Sequence, residues 1–77
     1  MAVLKMIEQY MEVVGSDGAH VGTVDRIESA NEIKLAKDDP DAGGQERYIP
    51  LAWLAHAEMK VHLNLPAAEA KARWSTH

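Results

Sequence analysis

Four histidines, Ser16 and a run of closely spaced aspartates are the residues of this chain whose types and spacing could bind or react. His20, His56, His62 and His77 could each ligate a transition metal through an imidazole nitrogen. Their spacing does not present a set. His56 and His62 stand six apart, neither the i, i+4 pair of a helical zinc site nor the i, i+2 pair that shares one strand face. His20 sits beside a turn and His77 at the end, so the four are expected as separate surface imidazoles. Asp39, Asp41 and Gly43 have the alternation that opens a calcium loop, but a loop starting at Asp39 would require a bidentate carboxylate where Pro50 stands. Its sixth position is Gly44, which leaves Gly43 in a ligand slot, and the acids are expected simply to solvate a tight turn. Ser16, Asp17 and His20 are the types of a hydrolase triad, yet a turn would splay them into water without the contacts a triad needs. Gly15, Gly18 and Gly22 are three and four apart, not the two and three of a dinucleotide loop, and no helix follows them. The chain is therefore read as a non-enzyme with no catalytic residue, no metal ligand and no cofactor.

The elements that must position these groups are short. Met11-Glu-Val-Val-Gly leads through Ser16-Asp-Gly18 into His20-Val-Gly-Thr-Val-Asp-Arg-Ile27, and Asp-Gly between two β-branched runs predicts a hairpin. Val21 and Ile27 share a parity that Val24 does not, so a bulge is expected near Gly22. Residues 32–37 alternate strictly, with Ile33 and Leu35 inward and Lys34 outward. An eight-residue loop over 38–45 precedes a strand that Pro50 should end. Pro50 to Leu54 reads as one helical turn plugging a barrel mouth. Residues 60–64 alternate again, with Val61 and Leu63 inward and His62 outward. Pro66 opens a final helix over 66–74 whose Ala67, Ala70 and Trp74 lie on one face. Trp53 and Trp74 are expected to pack on the core.

The chain has 77 residues and no cysteine. Its apolar fraction is 47 %, but 12 of those residues are alanine, so the core is thin and has no disulfide to brace it. The net charge is −4, and Arg26, Lys34, Lys37 and Arg47 are interleaved with acids, which argues against nucleic-acid binding. No apolar run approaches the roughly 18 residues of a membrane span, and the amino end lacks the pattern of a signal peptide. A cytoplasmic protein without membrane contact is expected.

Together, Met11-Glu-Val-Val-Gly-Ser-Asp-Gly18, Val21-Gly-Thr-Val-Asp25, Ile33-Lys-Leu-Ala-Lys-Asp-Asp-Pro40, Gly43-Gly-Gln45, Tyr48-Ile-Pro-Leu51, Trp53 and Val61-His-Leu-Asn64 resemble a small bacterial family of unknown function with a PRC-barrel-like fold. The resemblance covers residues 6–74. Pro66 departs from it, standing where such sequences commonly offer Ser or Thr as a helix cap. What the resemblance implies is an all-β fold: a small, strongly coiled antiparallel β-barrel of five or six strands, closed by a short C-terminal helix. PRC-barrel domains occur in the photosynthetic reaction-centre H subunit, a ribosome-maturation factor and cell-division and sporulation proteins, mostly as non-enzymatic scaffolds. No catalytic residues come with the resemblance.

The expected organisation is a helical segment over residues 1–10 followed by one barrel domain over 11–77. Val3, Leu4, Ile7 and Tyr10 form an apolar stripe on that segment, with no place inside a barrel that begins at Met11, so they are the expected contact of a homodimer. The functional expectation is a protein-interaction or assembly module that pairs with itself and with a further protein. An RNA- or ribosome-associated adaptor and a barrel binding a small ligand beneath Trp53 are the alternatives.

Overall fold

The computed structural model describes residues 7–76 of the chain. Six strands follow in order: β1 Glu12–Val14, β2 His20–Ile27, β3 Glu32–Leu35, β4 Arg47–Pro50, β5 Leu54–Ala57 and β6 Val61–Leu63. A helix, α1 Ala67–Arg73, closes the chain, and single 3-10 turns occupy Pro40–Ala42 and Leu51–Trp53. The six strands form one sheet in the order β4-β3-β2-β1-β6-β5. Two features correct the expected antiparallel barrel. The sheet is open, because β4 and β5 lie at its two ends. One pair is also parallel: Val13 faces Val61 and Val14 faces His62. The hairpin to β2 covers only one edge of β1, and β6, running in the same direction, covers the other.

The mostly β architecture follows from the alternation noted above. Val13, Val21, Val24, Ile33, Leu35, Ile49, Val61 and Leu63 are each at most 2 % exposed. Lys34 and His62 point off this core, as their parity requires. Lys34 is nevertheless covered, with Nζ 3.2 Å from Glu46 and 3.8 Å from Asp25. The parity conflict in β2 is relieved by two irregularities. Val21 is skipped between the pairs Val13–Gly22 and Val14–His20, and Asp25 between Val24–Leu35 and Arg26–Lys34. Each extra residue turns the strand and lets Val21 and Val24 both face inward. Strand β5 is the element that its own sequence does not announce: Leu-Ala-His-Ala has no β-branched residue, and β6 pairing alone makes it a strand.

Two residues of the expected amino-terminal stripe, Ile7 and Tyr10, lie among the described residues. Ile7 is buried in the core, whereas Tyr10 is 76 % exposed. Tyr10 has φ 73° and donates its N–H to Val24 O at 2.8 Å, which ends any helix there and ties the segment to β2. Residues 7 and 8 therefore have no regular structure and 9–10 form a turn, rather than a helix. Val3 and Leu4, with the rest of the expected helical segment, lie outside the described residues.

Helix α1 is seated on the first hairpin. Asp17 Oδ1 accepts the N–H groups of Ala19 at 3.2 Å and of Ala67 at 3.3 Å, so the cap that Pro66 cannot supply comes from 50 residues earlier in the chain. Ser16 N–H donates to Leu65 O at 2.9 Å beside it. Backbone thus meets backbone at Gly15, where a Cβ would collide with the Ala67 nitrogen and fall 2.8 Å from the Pro66 carbonyl carbon. Gly18 differs: it has φ +82° with nothing within 4 Å of its Cβ position. Gly18→Val should lower stability by at least about 1 kcal/mol through backbone strain alone. Gly15→Ala should cost more, roughly 1–3 kcal/mol or beyond, because two backbone segments must separate. Urea unfolding of both variants checks the ranking, and equal midpoints would remove the close-approach argument.

Candidate functional site

The densest polar constellation joins the first hairpin, the 38–46 loop and the helix. Glu12 on β1 and His20 on β2 lie on neighbouring strands. His20 Nδ1 is 2.8 Å from Glu12 Oε2, and its Nε2 is 2.9 and 3.1 Å from the two oxygens of Asp39. Thr23 Oγ1, on the same strand, donates to Asp39 Oδ2 at 2.6 Å. Asp39 stands before the turn Pro40–Ala42 and accepts the Asp41 N–H at 2.8 Å, so it caps that turn while facing the sheet. Two lysines flank the group: Lys60 is 3.3 Å from Glu12 Oε1, and Lys71 of α1 is 2.7 Å from Asp41 Oδ2.

Burial makes Asp39 the demanding member, since its side chain is only 3 % exposed. Desolvation alone would raise its pKa. The hydrogen bonds from Thr23, the Asp41 N–H and His20 outweigh that and hold the carboxyl below its ordinary value. His20 is balanced in the opposite sense. Burial disfavours its charge, but Glu12 and Asp39 outweigh it and raise the pKa. Hydrogen bonding to His20, then to Lys60, lowers the pKa of Glu12. Both ring nitrogens lie within hydrogen-bond reach of carboxylates, which when ionised only accept, so this geometry favours the doubly protonated imidazole. In that doubly protonated form the ring has no free lone pair with which to act as a general base.

The other sequence candidates are placed apart. Ser16 is exposed, and Asp17 serves the helix N-terminus, so neither meets His20 in a triad. The expectation of acids solvating a tight turn holds for Asp41, which is exposed, and fails for Asp39, which turns inward to His20 and Thr23. His56 and His62 are brought together, contrary to the expectation of separate imidazoles: they oppose each other across β5 and β6 with ring centroids 4.3 Å apart and planes 13° from parallel. Reading Glu58–Lys60 as a hairpin turn would have exposed that pairing. His77 lies outside the described residues. Trp53 and Trp74 pack on the core, half-buried, beneath Arg73 at 5.4 Å and Arg47 at 5.1 Å. Arg26 and Lys34 are likewise engaged, with Glu28 and Glu46. A shallow polar depression is lined by Lys37, Gln45, Glu46 and Thr76 and does not involve Trp53. No helix among the described residues is long and apolar enough to cross a membrane.

Residues 7–71 match a family described as an uncharacterized protein conserved in bacteria (DUF2171). No curated protein and no solved structure matches the chain.

The clamp makes stability depend on pH in a defined way. Because the folded pKa of His20 is raised, its contribution is complete below the ordinary value of 6.5 and is lost as pH rises through the folded value. Asp39 and Glu12 are lowered, so theirs are complete above the ordinary values of 3.8 and 4.5 and are lost as pH falls through the folded ones. The difference in Tm between the native chain and His20→Gln should therefore be greatest between pH 4.5 and 6.5 and shrink on both sides. Within that window the substitution should cost about 1–3 kcal/mol, the cost of a buried acceptor left short of a partner. Thermal unfolding in buffers free of divalent metal ions checks this, and a pH-independent difference would show that the clamp is not ionised.

Proposed function

The chain belongs to this bacterial family, and from that premise we propose that it is a non-enzymatic assembly module that pairs with a second copy of itself through the edge of β5. The observation that carries this reading is the contrast between the two ends of the sheet. The outer edge of β4 is covered, since Tyr48 and Ser75 exchange backbone hydrogen bonds of 2.8 and 3.0 Å. The outer edge of β5 has no such neighbour among the described residues. Residues 51–57 contain no Lys, Arg, Asp or Glu, the charges with which natural edge strands discourage pairing. Beside them, Met59 is 90 % exposed, and Trp53 and Leu54 are half-buried.

Antiparallel pairing of identical strands about a two-fold axis brings the Trp53 end of one copy beside the Met59 end of the other. Each copy then covers the apolar group that its partner exposes. Strand β5 has only four residues, which fits a weak, reversible pair rather than an obligate one. The clamped state of His20 supports the non-enzymatic half of the reading. The open, strongly irregular six-strand sheet with its terminal helix is compatible with a PRC-barrel-like scaffold.

Sedimentation equilibrium of the intact chain at micromolar concentration should give a mass above that of the monomer. Ala55→Lys combined with Met59→Glu places charges on two exposed positions and should return a monomer with nearly unchanged Tm. A monomeric intact chain would end the self-association reading. A variant that stays dimeric would move the contact away from β5.

A further inference from the structure

We propose that His20, Asp39 and Asp41 form a binding site for a divalent transition-metal ion of the zinc class, in which the metal takes the place of the imidazole Nε2 proton. The three side chains each offer a ligand atom, and these atoms lie within 4.8 Å of one another. Among the described residues this is the one such grouping. It draws on two separate parts of the fold, a strand and the loop over 38–46, which the tertiary structure brings together.

Three features distinguish the grouping from a surface cluster of acids. The first is the imidazole and its orientation. Glu12 holds Nδ1 at 2.8 Å, so Nε2 is the nitrogen directed at Asp39. A carboxylate behind a histidine is the device that fixes tautomer and ring angle in metal centres. The second is preorganisation: Asp39 is buried and held by Thr23 and the Asp41 N–H, so that little side-chain freedom remains to be lost. The third is access. Asp41 is exposed, which leaves solvent on the open side of the three ligands.

Donor chemistry selects the ion. One imidazole nitrogen with two carboxylates suits zinc, cobalt or nickel, whereas calcium and magnesium take oxygen ligands alone. Binding replaces a hydrogen bond with a coordinate bond. The Nε2 proton leaves to solvent, the nitrogen lone pair and one oxygen from each aspartate go to the metal, and water completes the shell. Lys71 Nζ, 2.7 Å from Asp41 Oδ2, is the resident cation that competes for Asp41. It lies on the partly exposed surface of α1 and has room to move away.

The test is calorimetric titration of the full chain with zinc sulfate, with cobalt(II) absorption as the ligand-field readout. It is run in a His56→Ala, His62→Ala, His77→Ala background, so that the stacked pair and the terminal imidazole bind nothing. One ion per chain is expected. Asp41→Asn, which preserves the backbone N–H to Asp39 and an exposed position, should weaken binding at least tenfold. Glu12→Gln should weaken it about 10- to 100-fold, and Lys71→Gln should tighten it by freeing Asp41. His20→Gln should abolish the cobalt spectrum, with Tm followed to confirm folding. No binding in this background, or binding indifferent to both Asp41→Asn and Lys71→Gln, overturns the proposal.

Discussion

A carboxylate held out of water at Asp39 is the constraint to which the polar half of this structure answers. An ionised group at that depth is tolerated only when its lone pairs are met by donors, and the donors come from two separate parts of the chain. Thr23 and His20 bring the second strand, and the Asp41 N–H brings the loop itself. The chain thereby ties residues 38–46, which contain two glycines at positive φ, to the face of the sheet. Lys71 extends the tie to α1, and Lys60 extends it through Glu12 to the start of β6. Five segments converge on one imidazole and its two carboxylates.

The apolar half works under a different limit, the small number of large side chains. Alanine fills many of the apolar positions, and where it is buried it serves to bring backbones close rather than to fill space. Ala67 and Ala70 let α1 lie directly on the hairpin, and Gly15 completes the same contact from the other side. Val13 and Val14 of the three-residue β1 are paired on both sides, with β2 and with β6, so a very short strand stands at the centre of the sheet. The half-buried tryptophans extend this core outward beneath arginine side chains, which cover their rings while keeping charge in water.

Among the described residues, these two halves leave saturated polar groups inside and, at β5, a strand edge without a paired neighbour outside. Among the described residues no buried side-chain nitrogen or oxygen lacks a hydrogen-bond partner. Bonding capacity of that kind lies at the surface, and the proposed pairing uses the uncharged edge of β5. The proposed function in assembly is consistent with that distribution.

The strands β1 to β4 and β6, the Asp-Gly turn, the bulge beside Gly22 and the terminal helix were all legible in the sequence, because each depends on local periodicity or on the conformational freedom of glycine. The inward positions of Ile33, Leu35, Val61 and Leu63 were legible for the same reason, since parity along a strand is a local property. What tertiary structure alone decided is everything that joins residues distant in the chain. Asp17 as the cap of α1, the parallel pairing of β1 with β6 and the strand character of β5 belong to that class. So does the meeting of His20 with Asp39, 19 positions apart and each unremarkable in its own turn. Ile7 shows the same limit, for an apolar stripe states that a surface must be covered but not which surface covers it. Burial and long-range hydrogen bonding are properties of the folded chain, and no local pattern encodes which distant donor will meet a given carboxylate.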